Sequence, residues 1–196
     1  MNAIAIFTSA TSVLILLLST VGNTILMLVL IKNFRTASRG YVYLMFNLAV
    51  ADLLLVFSSI PFSLAEKLQE PVFPFGKLLC KLLWPFQTTT MMTSIFTVAT
   101  LSCQRYLMIV KPSKTCQRGN TVIILSTLAI LWILPIITAA VPLAFFLELD
   151  EEEVCIETWS NRFKQYFTIY LTCIQYVLPL AVITWCNGRA VIQLKM

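Results

Sequence analysis

The sequence predicts an all-α membrane protein, a bundle of helices that each cross a lipid bilayer. Apolar residues make up 59% of the 196 residues and charged residues only 12%, whereas soluble domains average roughly half and a quarter. A soluble chain of this length would need more polar surface than these side chains supply. The charge lies in short stretches between long apolar runs, a pattern that is typical of transmembrane segments.

Five apolar segments are long enough to cross the hydrocarbon core, because a helix needs about 20 residues to do so. Lipid cannot satisfy open backbone groups, so each segment is expected to be helical. The first segment lacks a basic n-region and is too long for a signal peptide, so we expect it to be retained. Without a long linker or a repeat, the chain is expected to form one domain, 1–196. The predicted helices are 6–31, 42–65, 78–110, 121–147 and 166–194.

The distribution of charge orients these helices. The stretches after the first, third and fifth helices carry cations and no acids, and positive residues collect on the cytoplasmic side of membrane proteins. We therefore expect an extracellular N-terminus and a cytoplasmic C-terminal end, and no nucleic-acid partner, since no basic patch is interleaved with aromatics. The inner cations are Lys32, Arg35, Arg39, Arg105, Lys111, Lys114, Arg118, Arg189 and Lys195. The outer acids are Glu66, Glu70, Glu148, Asp150, Glu151, Glu152, Glu153 and Glu157.

The cysteine content excludes several kinds of chemistry. There are six cysteines and no histidine, so the commonest metal ligand and general base are missing. No nucleophile–base pair is in place either, and we expect no enzyme. Cys80 and Cys155 fall on the predicted outer side, where oxidising conditions permit a disulfide; two unpaired thiols are the alternative. The thiols inside apolar segments are interpreted as packing residues: Cys103, Cys173 and Cys186.

Asp52 lies midway along the second predicted helix. A carboxylate at the bilayer centre costs about 2.5–3.5 kcal/mol on insertion scales, so it should face the bundle and have a partner. Asn23 and Ser94 lie at similar depth in the first and third helices. Two interpretations stay open: a site for a small hard cation, which prefers oxygen ligands, or a hydrogen-bonded contact that only fixes helix packing.

Two further residues have simple structural interpretations when taken alone. Arg105 closes the third helix, and an arginine at a helix end commonly reaches toward the interface. Pro135 lies inside the fourth helix, where a missing hydrogen bond produces a kink. Residue type alone gives neither a function.

Taken in order along the chain, one signature in each helix resembles the rhodopsin-like family of G-protein-coupled receptors. Any single signature is weak, but their order is specific. The resemblance covers the whole chain and implies five of the family's seven transmembrane helices. The signatures are Gly22-Asn23; Leu48-Ala-Val-Ala-Asp52-Leu-Leu; Phe73-Pro-Phe-Gly76 followed by Cys80; Arg105-Tyr106 with Pro112 after it; Trp132 with Pro142; Cys155; and Pro179.

The resemblance implies roles for particular residues. Cys80 and Cys155 are similar to the family's disulfide. Asp52, Ser94 and Asn23 are similar to its allosteric sodium pocket, and no other cofactor is implied. Two further sets are assigned in the same way. The G-protein-coupling switch comprises Gln104, Arg105, Tyr106 and Pro112, and the core relay comprises Ile95 and Pro179.

The outer half of the third helix narrows the ligand class. Gln87 stands where amine receptors carry an aspartate counter-ion, so an amine is not expected. Its surroundings resemble neuropeptide receptors of the neuropeptide Y, tachykinin and orexin type. The acidic run 148–153 would steer a basic peptide, although a solvated outer loop is the alternative. The expected peptide-binding residues are Gln87, Thr88, Met91 and Gln175.

Two positions depart from the family pattern. Gln104 stands where the family usually carries an acid that pairs with the neighbouring arginine, so the resting lock should be weaker and basal activity higher. Asn187 stands where the family usually carries a tyrosine that stabilises the active arrangement, so that contact is in doubt.

The chain stops at Met196, so the sixth and seventh helices of the family are unmatched. We expect a fragment of a plasma-membrane receptor whose full-length form binds an extracellular peptide and couples to heterotrimeric G proteins. The alternative is a truncated, non-signalling five-helix membrane protein that associates with full-length receptors. A transporter is disfavoured, because Asp52 is the one clear intramembrane charge and no repeat is visible.

Overall fold

The computed structural model describes residues 3–34, 38–69, 72–110 and 120–195. These residues form five long helices and one two-stranded hairpin, so the predicted helical bundle is confirmed. Helix α1 is Ala3–Lys32, α2 is Arg39–Gln69 and α3 is Gly76–Val110. Helix α4 comprises Thr121–Pro135, a π-helical turn Ile136–Ala140 and Val141–Phe146. Strands β1 (Leu147–Leu149) and β2 (Cys155–Glu157) follow, and α5 comprises Asn161–Thr172, a π-helical turn Cys173–Val177 and Leu178–Lys195.

Four of the described helices, α1, α2, α4 and α5, are long and apolar enough to cross a membrane by length and composition. Helix α3, at 35 residues, is equally long but richer in hydroxyl side chains. It packs against α2, α4 and α5, whereas α1 packs against α2. The polar helix therefore lies between α2, α4 and α5, and α1 packs on the side of α2.

The hydroxyl groups of α3 are satisfied inside the protein. Thr90, Thr93 and Thr97 are fully buried. The hydroxyl of Thr97 donates to the carbonyl of Thr93 at 2.6 Å, and that of Thr90 donates to the carbonyl of Gln87 at 2.9 Å. Because each hydroxyl finds a backbone acceptor, α3 can lie in the bundle without leaving polar groups unpaired in an apolar environment.

A hydrogen bond joins α3 to a backbone carbonyl of α4 that Pro135 leaves without its helical donor. Proline has no N–H, so the carbonyl of Leu131, four residues earlier, lacks its usual helical donor. The hydroxyl of Thr93 on α3 donates to that carbonyl at 3.0 Å. The missing N–H of Pro135 thus leaves an acceptor free, and a side chain of the neighbouring helix donates to it.

A single amide connects three helices close to this point. The amide nitrogen of Asn47 on α2 donates to the hydroxyl of Thr97 on α3 at 2.9 Å. The indole nitrogen of Trp132 on α4 donates to the amide oxygen of Asn47 at 2.8 Å. Buried Leu44, Leu101 and Leu131 form an apolar cluster from the same three helices.

Replacing Asn47 by leucine removes both hydrogen bonds at similar side-chain volume. Thr97 keeps its bond to Thr93, but the indole N–H of Trp132 loses its acceptor. We expect the free energy of unfolding to fall by about 1–2 kcal/mol, measured as a lower thermal midpoint in lipid nanodiscs. Asn187→Leu, on an exposed face of α5, is the control and should not lower the midpoint. Equal losses in both variants would contradict a specific role for Asn47.

Candidate functional site

The β1–β2 hairpin covers the end of the bundle that is predicted to be the outer end. The two strands pair antiparallel, with Leu149 opposite Cys155. Cys155 is bonded to Cys80 in the first turns of α3, with the two Cα atoms 5.7 Å apart. The predicted disulfide is therefore present, and it closes a separation of 75 residues. Such a crosslink contributes about 2–4 kcal/mol, chiefly by restricting the unfolded chain.

The turn of the hairpin carries acids on a fixed backbone. The carboxylate of Asp150 accepts hydrogen bonds from the backbone nitrogens of Glu152 (3.0 Å) and Val154 (2.7 Å). The carbonyl of Glu153 accepts from the backbone nitrogen of Phe73 at 2.7 Å, which ties the turn to the loop before α3. Phe73 is itself buried. The backbone is held on both sides while the acidic side chains project into solvent. These exposed acids are Glu148, Glu151, Glu152 and Glu153.

Glu157 links the hairpin to the start of α5. One of its carboxylate oxygens lies 2.6 Å from the ammonium of Lys164 and accepts from the indole nitrogen of Trp159 at 3.0 Å. Burial raises the pKa of this carboxyl. The hydrogen bonds from Lys164 and Trp159 and the charge of Lys164 together outweigh that effect, so the pKa lies below its ordinary value. The carboxylate thus stays ionised and in place at neutral pH.

An aromatic cluster reinforces this link. The ring of Trp159 lies 5.1 Å from that of Phe146 at the end of α4, and 5.6 Å and 5.0 Å from those of Phe163 and Phe167 on α5. The hydroxyl of Thr158 also donates to the carbonyl of Phe146 at 3.0 Å. Rings at these separations stabilise one another beyond their buried area, so the outer ends of α4 and α5 are held together.

The predicted peptide-binding residues lie on α3 and α5. The amide nitrogen of Gln87 donates to the backbone carbonyl of Ser58 on α2 at 2.7 Å. Thr88 and Met91, within a helical turn of Gln87, are half-buried. Gln175 lies in the π-helical turn of α5 and is only 5% exposed, and its amide nitrogen has no hydrogen-bond partner among the described residues. Gln175 is therefore the buried member of this set whose amide donor has no partner among the described residues.

The residues predicted to bind sodium are brought together in part. The hydroxyl of Ser94 donates to a carboxylate oxygen of Asp52 at 2.5 Å. The amide nitrogen of Asn23 instead donates to the carbonyl and the hydroxyl of Ser19, at 3.0 Å and 3.2 Å, within α1. Asp52 and Ser94 thus place oxygen atoms of two helices side by side, which suits a hard cation.

The predicted switch residues lie in the last turns of α3, at the end of the bundle that is predicted to be the inner end. Arg105 is exposed, and its guanidinium carbon is 5.9 Å from the ring centroid of Tyr41 on α2. Gln104 packs on α2 as well: its amide nitrogen would lie 2.8 Å from a Cβ at Gly40, and its buried amide oxygen has no partner within the described part of the chain. Tyr106 contacts Trp185 of α5, with ring centroids 5.3 Å apart. The fourth predicted residue, Pro112, lies outside the described residues.

The relay residues lie where α3, α4 and α5 meet. Pro179 is fully buried. It lines a cleft of about 240 Å³ together with Phe96 and Ala99 of α3 and Leu131 of α4. Ile95, the predicted partner on α3, is half-buried beside Phe96 in the sequence. Pro179 and the α3 residues thus lie on the walls of the same cleft.

Two contacts were not predicted from the sequence. No role was predicted for Asn47, although the cost of a polar group in an apolar segment applies to it as it does to Asp52. That signal could have predicted a buried partner for Asn47, but not Trp132. The contact between Arg105 and Tyr41 had no sequence signal, because it depends on how two helices are rotated against each other.

Long apolar helices around a hydroxyl-rich centre, closed on one side by a disulfide-bonded hairpin, define a multi-pass helical membrane protein. The chain belongs to the rhodopsin family of receptors, because the family model described as "7 transmembrane receptor (rhodopsin family)" matches residues 22–196. The expected fold class is therefore confirmed, and members of this family are receptors rather than enzymes.

The chain is similar to several neuropeptide receptors. It is 27% identical to galanin receptor 2a of Danio rerio over 91% of this chain and 49% of that protein. It is 30% identical to galanin receptor type 1 of Homo sapiens over 90% of this chain and 52% of that protein. It is 29% identical to the neuropeptide F receptor of Drosophila melanogaster over 83% of this chain and 36% of that protein. The chain thus spans about half the length of the galanin receptors, and a relation to neuropeptide receptors is confirmed.

The link between the hairpin and α5 is expected to weaken in acid. The folded pKa of Glu157 is depressed below 4.5, so its stabilising contribution is present above that pH and is lost as the pH falls through the folded pKa. Lys164 is 54% exposed, so solvent screening limits the effect to about a few tenths of a kcal/mol. The thermal midpoint of Glu157→Gln, followed from pH 7 to pH 3, should fall less below pH 4.5 than that of the wild type.

Glu151→Gln provides the control, since Glu151 is exposed on the same hairpin. Its midpoint should follow the wild-type pH dependence. If Glu157→Gln and the wild type lose stability in parallel below pH 4.5, the assigned role of Glu157 is wrong.

Proposed function

We propose that this protein acts as a G-protein-coupled receptor for an extracellular neuropeptide in the plasma membrane. The observation that carries the proposal is the match to the rhodopsin-family model together with similarity to galanin and neuropeptide F receptors. The two ends of α3 supply independent support. The outer end presents a surface that suits a peptide, and the inner end presents a surface that suits a G protein.

The outer surface suits a basic peptide. The exposed acids of the hairpin turn create a negative field that raises the local concentration of a cationic ligand. The disulfide to Cys80 and the bond from Phe73 to Glu153 keep these charges in one place. A fixed surface loses less conformational entropy when a ligand binds.

Specific recognition is assigned to the neutral residues below that surface. Gln87, Thr88, Met91 and Gln175 offer amide, hydroxyl and thioether groups, which suit a peptide's backbone and polar side chains rather than a cationic amine. Gln175 is the strongest candidate, because its buried amide donor has no partner within the described residues. A ligand carbonyl would satisfy that donor.

The proposed orientation places the N-terminus outside. It rests on the cations in and after the last turns of α1, α3 and α5 and on the disulfide at the opposite end, since disulfides persist in an oxidising compartment. A G protein would then meet the inner end of α3, where Arg105 is exposed and contacts the ring of Tyr41. A cation–π contact at an exposed site contributes only about 0.5–1 kcal/mol. Arg105 can therefore leave the ring of Tyr41 and contact a G protein instead.

We further propose that Asp52 and Ser94 bind an allosteric sodium ion, with Asn23 as a third candidate ligand. The adjacent carboxylate and hydroxyl oxygens support this assignment. The hydroxyl of Ser94 can donate to Asp52 while its lone pairs face the ion. Bound sodium would favour whichever arrangement of α2 and α3 keeps these oxygens together.

The receptor function is tested by nucleotide exchange on a heterotrimeric G protein in membranes that contain the protein. Galanin or neuropeptide F peptide is expected to bind and to stimulate exchange. Gln175→Leu should weaken peptide binding about tenfold, which corresponds to about 1.4 kcal/mol. Arg105→Ala should abolish stimulated exchange and leave peptide binding intact.

Lys32→Ala is the control for the loss of an inner cation, because Lys32 is exposed at the end of α1. It should keep stimulated exchange. If neither peptide binds and basal exchange equals that of membranes without the protein, the proposed receptor function is contradicted. Peptide binding without exchange would refute only the coupling.

The sodium site is tested by stability. Sodium at about ten times its dissociation constant should add about 1.4 kcal/mol to the free energy of unfolding, seen as a higher thermal midpoint in sodium chloride than in potassium chloride of equal ionic strength. Asp52→Asn should remove the difference. Asp150→Asn, in the outer hairpin, should retain it. Identical midpoints in the two salts for the wild-type protein would rule the site out.

A further inference from the structure

Two thiols face each other across α3 and α5 and take no part in the function proposed above. The sulfur atoms of Cys103 on α3 and Cys186 on α5 are 3.1 Å apart. Neither belongs to the disulfide. Cys186 is 1% exposed, whereas Cys103 is partly exposed. One thiol of the pair is therefore accessible and the other lies directly behind it.

The pair is close to the geometry of a covalent bond. A disulfide has a sulfur–sulfur distance of about 2.05 Å, so the two sulfurs need to approach by only about 1 Å. The neighbouring contact between Tyr106 and Trp185, at 5.3 Å between ring centroids, holds the same two helices together. The two helices are therefore packed against each other beside the thiols.

We propose that Cys103 and Cys186 form a dithiol oxidation site, whose substrate is a small membrane-permeant oxidant of the peroxide class. The Cys103 sulfur attacks one peroxide oxygen, the oxygen–oxygen bond breaks, and the thiol proton passes to the departing oxygen, which leaves as water. This step gives a sulfenic acid on Cys103. The Cys186 sulfur then attacks the Cys103 sulfur and expels the hydroxyl group as a second water. Two thiols are oxidised to one disulfide and one peroxide is reduced to two waters.

The position of the site gives the bond a structural effect. Cys103 lies about two helical turns before Val110, the last residue of α3, and next to the segment that carries Arg105. The disulfide would hold α3 and α5 at a fixed separation beside that arginine. On the cytoplasmic side, glutathione would return the pair to the dithiol. The inference concerns the thiols alone and does not depend on the identity of a ligand.

Peptide mapping provides the test. Membranes containing the full chain are treated with hydrogen peroxide, remaining thiols are blocked with N-ethylmaleimide, and the protein is digested with trypsin. Cys103 then lies in peptide 82–105, Cys173 and Cys186 lie in peptide 165–189, and Cys80 lies in a separate peptide, 78–81. We expect peptides 82–105 and 165–189 to become linked by a bond that a reductant breaks, with at least a tenfold increase over untreated membranes.

Cys173 provides the matched control, because it is an exposed thiol in the same tryptic peptide as Cys186. Cys173→Ser should form the link as the wild type does, whereas Cys103→Ser and Cys186→Ser should not. Linkage through Cys173, or a peroxide-treated wild-type protein in which Cys103 and Cys186 both still react with maleimide, would overturn the proposal. Oxidation of Cys103 to a sulfinic acid without linkage would do the same.

A second measurement does not depend on whether the cysteine variants fold. Phenylarsine oxide bridges two adjacent thiols and reacts weakly with isolated ones. In the wild type and in Cys173→Ser it should protect Cys103 and Cys186 from maleimide, and a dithiol reagent should reverse the protection where a monothiol does not. Protection absent in both proteins would show that the thiols are not adjacent.

Discussion

The bundle is organised by the requirement that polar groups within a membrane find partners inside the protein. Helix α3 has the largest need for such partners, because it carries the buried threonines of the core. Thr97 turns back to its own helix, while Thr93 bonds the carbonyl of Leu131 on α4. Asn47 brings α2 and Trp132 into the same network. The apolar helices pack around α3 because their side chains can face lipid, whereas its hydroxyl groups cannot.

The sequence predicted the number and order of the helices, since long apolar runs have few other solutions in lipid. It also predicted the disulfide, through the family resemblance. The ends of α2 and α5 were set too short, because Arg39 and Asn161 are polar residues that still belong to helices. The hairpin was missed, since its strands are three residues each and carry no useful alternation. The meeting of Asp52 with Ser94 followed from depth, but the bond from Asn23 to Ser19 depends on a rotamer that the sequence does not encode.

The inner end of α3 differs from an arrangement built on an ion pair. Neither neighbour of Arg105 at this end is an acid: Gln104 packs on Gly40, and the guanidinium lies over Tyr41. Gly40 leaves the space that Gln104 occupies, and a side chain there would force the amide to move. An arginine held by a ring keeps its charge available, because the ring does not neutralise it. The position of the Arg105 side chain thus depends on packing more than on ion pairing.

The hydrogen bond between Thr93 and the carbonyl of Leu131 limits which residues can stand at positions 93 and 135. The hydroxyl has that acceptor to itself because Pro135 cannot donate to it. If residue 135 regained an N–H, that group would compete for the carbonyl oxygen of Leu131, and the hydroxyl of Thr93 would share this acceptor with it. If residue 93 lost its hydroxyl, the oxygen would face an apolar surface without a donor. The two positions are therefore energetically coupled, and we expect them to co-vary among relatives of this chain, with the proline retained where the hydroxyl is retained.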